Sequence, residues 1–117
     1  IATDGSGAGT GYTPATSGFV RAIRYVPDGT TPYDTGVDVT VTGSASGIAI
    51  TTVTNLGTSA VDIYPRAATA GITNTAALYA AGGTGVLDRI PVADESIKIV
   101  LAQGGATKTG VFHVYVG

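Results

Sequence analysis

The chain has 117 residues, no Cys, only 12% charged residues and a formal net charge of −2. One domain of this length buries roughly two thirds of its unfolded surface without cross-links, and without Cys it has neither disulfides nor zinc–thiolate sites. Its six basic residues are scattered, with Arg21 and Arg24 the one close pair, which argues against a nucleic-acid groove, and no apolar run approaches the ~20 residues of a membrane span.

The sequence opens on Ile1 with no Met anywhere, and we expect that residues preceded it. Residues 1–18 are rich in Gly, Ser and Thr, with Ile1 and Tyr12 as the only large apolar side chains. They predict a flexible interaction arm, because fixing a glycine-rich backbone costs more than two apolar side chains return. Ile1, Tyr12 and Pro14 are its candidate contact residues. Residues 19–117 are expected to form the folded domain.

Residues 19–26 predict a strand, with Phe19, Ile23 and Tyr25 on one face. Residues 27–36 hold Pro, Asp and Gly at turn spacing. Strict alternation then predicts strands at 37–42 and 48–54, and a fourth at 60–64 stopped by Pro65. For residues 67–86 two readings stand: a short helix at 75–83 ending on glycines, or an irregular loop with one short strand. The loop is preferred, since so short a helix is marginal alone. Residues 86–92 predict an edge strand, because Pro91 cannot donate to a ladder. Residues 94–117 read as one antiparallel hairpin: two alternating runs around Gly104 and Gly105. The sum is all-β, a single antiparallel β-sandwich or small β-barrel. Its expected core is Ile23, Val39, Val41, Ile48, Ile50, Val61, Ile63, Ile97, Ile99, Leu101, Phe112 and Val114.

The residues that carry chemistry elsewhere do not assemble into a site here. His113 is the single histidine and lies mid-strand between Phe112 and Val114, which favours cross-strand packing over a ligand or base. Asp28, Asp34 and Asp38 lack the spacing of a calcium loop and read as turn residues. The six tyrosines are spread along the chain and suit packing better than a sugar platform. No nucleophile–base set emerges, so the reading is of a non-enzyme without cofactor or metal.

Four segments, at residues 64–67 (Tyr-Pro-Arg-Ala), 78–83 (Leu-Tyr-Ala-Ala-Gly-Gly), 102–105 (Ala-Gln-Gly-Gly) and 108–114 (Lys-Thr-Gly-Val-Phe-His-Val), together resemble small virion proteins of tailed bacteriophages from the capsid gene module. The resemblance covers roughly residues 60–117. It implies a structural protein of the virion, a decoration (cement) protein on the outer capsid surface. Its implied partners are the major capsid protein and copies of itself, as a homo-oligomer such as a trimer, with no nucleic acid and no membrane. A mean hydropathy of +0.32 and a low charge content suit a surface partly covered by neighbours, and equally suit threonine-rich strands. Two other classes stay open: a carbohydrate-binding β-sandwich of a fibre or adhesin, and a head–tail connector or tail protein.

Overall fold

A computed structural model describes residues 1–70, 75, 77, 78 and 80–117. Among these residues ten strands run β1 (Gly9–Tyr12), β2 (Thr16–Pro27), β3 (Asp38–Gly43), β4 (Ala49–Val53), β5 (Val61–Ile63), β6 (Ala67–Ala68), β7 (Leu87–Asp88), β8 (Ile90–Glu95), β9 (Ile97–Ala102) and β10 (Gly110–Val116). Sheet I has the order β1-β9-β3-β4. In sheet II, β2 lies between β10 on one side and β5 and β8 on the other, and β6 and β7 form a separate ribbon. Every pairing is antiparallel. Both sheets are open rather than closed, which decides for a sandwich-like fold over a barrel.

The period of two explains which side chains meet between the sheets. Sheet I contributes Val39, Val41, Ile50, Ile97, Ile99 and Leu101; sheet II contributes Val20, Ile23, Tyr25, Ile90 and Val92. Tyr33, Val37 and Leu56 close the core from the connections. Of the expected core residues, Ile48 is corrected: it is 49% exposed. It follows Gly47, whose φ is +73°, so it belongs to the turn that precedes β4. Val61, Ile63, Phe112 and Val114 pack on the core half-buried, since β5 and β10 are edge strands.

The expected terminal hairpin does not form. β9 pairs with β1 and β3 in sheet I, while β10 pairs with β2 in sheet II, so residues 103–109 arch between the layers. Left-handed φ values at Gln103 (58°), Gly105 (82°) and Thr107 (56°) turn the arch. Its polar groups bond elsewhere: the Gly104 N–H donates to Gly7 O at 2.9 Å, the Asp34 N–H to Gly104 O at 3.0 Å and the Thr107 N–H to Asp4 O at 3.2 Å. Two alternating runs about a glycine loop describe an arch as well as a hairpin, and these partners select the arch.

Pro91 sits in β8, which among the described residues pairs only with β2 and is an edge, as the proline requires. In the 67–86 region, Leu78 bridges Gly85, and the Ala77 N–H donates to Thr69 O at 2.9 Å. Ala67–Ala68 pairs with Leu87–Asp88 as a ribbon; positions 71–74 of the region, and 76 and 79 of the alternative helix, lie outside the described residues.

One buried carboxylate ties the two layers. Glu95, at the end of β8, accepts from the Ala45 and Ser46 N–H groups and from Ser46 Oγ, each at 3.1 Å. Gly43 makes room for it, since a Cβ there would lie 2.3 Å from Glu95 Oε1. The Ser46 backbone bond, before the other bonds, holds the Glu95 pKa below the usual carboxylate value. Asp28 is lowered likewise, chiefly by the Thr31 N–H, and Asp4 chiefly by the Ser6 hydroxyl. With folded pKa values depressed, the unfolded chain binds more protons in acid. Stability is therefore complete above the ordinary carboxylate range and falls as pH drops through the lowered values. Glu95→Gln is expected to flatten that acid limb in melting curves taken across pH; an unchanged limb would remove Glu95 from the account.

Candidate interaction surface

The first residues are built into the fold, which corrects the expected arm at 1–18. Residues 1–3 lie antiparallel beside 108–110. The Ile1 ammonium donates to Gly110 O at 2.7 Å, Ala2 bridges Thr109, and the Thr3 N–H donates to Lys108 O at 2.8 Å. The buried Thr3 hydroxyl donates to Gly105 O at 2.6 Å and accepts from the Lys108 N–H at 2.8 Å. Asp4 closes the next turn by accepting from the Ser6 and Ala8 N–H groups. β1 then pairs with β9 from Gly9↔Leu101 to Tyr12↔Lys98. The glycines that suggested flexibility have a packing role instead: a Cβ at Gly11 would lie 2.6 Å from the Ile1 side chain. They let Ile1 cross over β1 onto the core.

Beneath Ile1 lies an aromatic cluster. Tyr33 and Tyr25 are fully buried and stack with ring centroids 5.8 Å apart, and Phe112 lies 5.1 Å from Tyr25. The Tyr33 hydroxyl donates to Ile1 O, with Gly110 O as a second acceptor 3.4 Å away. Burial, with a smaller contribution from Tyr25, pushes the Tyr33 phenol up to about 12. Because the folded value is raised, this group's contribution is complete below the unfolded tyrosine pKa and is lost as pH rises towards 12. Tyr33→Phe is expected to remove part of the alkaline loss of stability, followed by circular dichroism, and one late-titrating phenol from the tyrosinate absorbance. A Tyr33 that ionises with the exposed tyrosines would contradict this.

The surface around these elements has two features. The outer face of sheet II carries Val111, His113 and Tyr115 from β10, opposite Val26, Arg24 and Ala22 of β2, with Phe19 and Pro91 further along. Val111, Tyr115 and Phe19 are about half exposed. The charges on and beside this face include Arg21, Arg66, which donates to Arg21 O at 3.3 Å, and Arg24, which is paired with Asp62 at 2.7 Å. The second feature is the edge of β10 that faces away from β2. Beside it, between β10 and the 13–16 segment, runs a groove of 340 Å³ lined by Pro14, Val114 and Val116. A smaller one, 190 Å³, is lined by Ile1, Tyr12 and Phe112.

Thus Ile1, Tyr12 and Pro14 all flank the β10 edge, Ile1 half-buried and the other two exposed. They do so as parts of the sandwich. His113 is exposed, in the cross-strand position opposite Arg24. Tyr12 stands on sheet I and Tyr115 on sheet II, while Tyr25 and Tyr33 are buried; Tyr79 lies outside the described residues. Asp28 caps its own turn through the Thr30 and Thr31 N–H groups, and Asp38 accepts from the Asn55 N–H. Among the described residues no three His, Cys, Asp or Glu side chains gather to hold a metal, and no helix is long and apolar enough to cross a membrane.

Sequence reasoning missed the β10 edge because it assigned β9 as its neighbour. The signal was present: residues 110–117 contain no charge and no proline, the usual guards of an exposed edge. Comparison of the chain with protein-family models, curated proteins and solved structures gave no match.

Proposed function

We propose that this chain is a structural protein of a tailed-bacteriophage virion, a decoration protein seated on the outer capsid surface. Its partners are the major capsid protein and further copies of itself. The observation that carries the reading is the outer face of sheet II, where Phe19, Val111 and Tyr115 stand exposed with few charges. An apolar face of this kind on a small domain suits permanent contact with a neighbour. The resemblance of residues 60–117 to capsid-module proteins supplies the kind of neighbour.

The test is addition of purified protein to heads that lack it. Saturable co-sedimentation with the heads, weakened at least about tenfold by Phe19→Asp, is the expected result. Failure of the folded wild-type protein to bind heads, or a ring seated at the portal in electron micrographs, would replace decoration by another role. Specific binding on a glycan array would favour the carbohydrate reading instead.

A further inference from the structure

We infer that the free edge of β10 pairs with the same edge of a second copy, antiparallel and centred on Val114, to give a two-fold dimer with one continuous sheet. The inference stands apart from the virion reading, since it concerns the purified protein alone.

The direction of the backbone groups follows from three hydrogen bonds. The Phe19 N–H donates to Gly117 O at 3.2 Å, and the Gly117 N–H donates to Phe19 O at 3.0 Å, so Gly117 faces β2. Gly110 O accepts from the Ile1 ammonium, on the other side. In an antiparallel ladder successive residues point to alternate sides. Val111, His113 and Tyr115 therefore bond to β2, while the N–H and C=O groups of Phe112, Val114 and Val116 face outward. Among the described residues none of these outward groups has a hydrogen-bond partner.

The other edges are shorter or guarded. β8 carries Pro91 and a left-handed Asp94 (φ 48°), β1 has four residues, and β4 has five residues against seven in β10. Edges left open in this way pair with other strands.

A second β10 fits as occupant for three reasons. Pairing centred on Val114 sets Phe112 against the partner's Val116 and Val114 against the partner's Val114, so outward groups meet outward groups. All six outward groups of each copy are then bonded. Gly117 of the partner subunit falls opposite Val111, and Gly110 keeps its bond to Ile1, so the existing N-terminal strand bounds the new pairing. Finally, residues 110–117 contain no Asp, Glu, Lys or Arg, and in this register His113 faces the partner's Tyr115, so no charged side chains of like sign are opposed. On the core side, half-buried Phe112, Val114 and Val116 gain an apolar cover over the groove beside Pro14.

The experiment uses the chain as it stands. Raising its concentration is expected to take the mass in sedimentation equilibrium from 11.5 kDa to twice that value. Hydrogen exchange should slow with dimerisation at the amides of Phe112, Val114 and Val116, and stay unchanged at Val111, His113 and Tyr115. Because the chain has no Cys, single cysteines report the register. Val114→Cys stands opposite itself, at the ~5.5 Å Cα separation that a disulfide accepts, and should cross-link on mild oxidation. Val111→Cys should not. Opposed carboxylates in His113→Glu/Tyr115→Glu should weaken the dimer at least about tenfold, and His113→Glu/Tyr115→Lys should restore it. A monomer at all concentrations overturns the inference. So does a trimer, because an edge paired with itself closes at two, and so does equal cross-linking at positions 111 and 114.

Discussion

Replacing Gly110 by Val is expected to cost about 3–5 kcal/mol, the scale of losing a buried aromatic, out of a typical total of about 5–15 kcal/mol. A Cβ at this position would lie 2.7 Å from Tyr33 Cε2 and 3.0 Å from Tyr25 Cε1. Neither ring can retreat, because both are fully buried and they stack on each other and on Phe112. The backbone is equally held: Ile1 bonds Gly110 O, and the Thr109 N–H donates to Thr31 O at 3.0 Å. Overpacking alone costs about 1–3 kcal/mol. Here the second methyl-bearing branch of Val must also part the aromatic stack or lift the start of β10. The measurement is the urea midpoint, with an unchanged slope if only stability alters. A variant that unfolds with the wild type would mean that the cluster has slack which the contact distances do not show.

Deleting residues 1–12 is expected to lower the melting temperature by about 10 °C or more, which corresponds to a loss of roughly 3 kcal/mol at this chain length. The deletion strips β9 of β1, removes the Thr3 bonds to the 105–108 arch, and takes away the Tyr33 acceptor and the Ile1 cap. Burying one Ile is worth about 1.5–3 kcal/mol, and each lost hydrogen bond about 1 kcal/mol. The truncated chain should also aggregate, since β9 would show a bare edge from Lys98 to Leu101. Calorimetry on the two chains decides the matter: equal melting temperatures would make the segment a dispensable arm.

What sequence reading recovered, and what it did not, has a common physical origin. Alternation located β2, β3, β4, β5, β9 and β10, because one face of each strand is buried and the other is not. Pro91 marked an edge for the same kind of local reason. Pairing partners are not local, and the two larger misreadings concern them, whereas Ile48 was misplaced by the turn at Gly47. Residues 96–116 look like a hairpin until Asp4, Gly7 and Asp34 are seen to hold the arch between the runs. Residues 1–18 look flexible by composition, yet their glycines are the cavity into which Ile1 fits. Tyr33 was passed over as part of a turn although it is fully buried. Ile1, Tyr12 and Pro14 came out beside one another at the β10 edge, through a strand pairing that their own segment did not announce.

The closing of both chain ends against each other also sets the order in which the protein can be made. Gly9 of β1 pairs with Leu101, and Ile23 of β2 pairs with Val114, whereas β3 and β4 pair across a short turn. Loop-closure entropy favours the near pairing first and makes the distant ones slow. During synthesis the β3–β4 hairpin can form early, but β1 has no partner until β9 emerges and one side of β2 stays bare until β10 does. Until those partners are available, β1 and one side of β2 stay unpaired. The β1–β9 and β2–β10 pairings, rather than the β3–β4 hairpin, should therefore limit the folding speed.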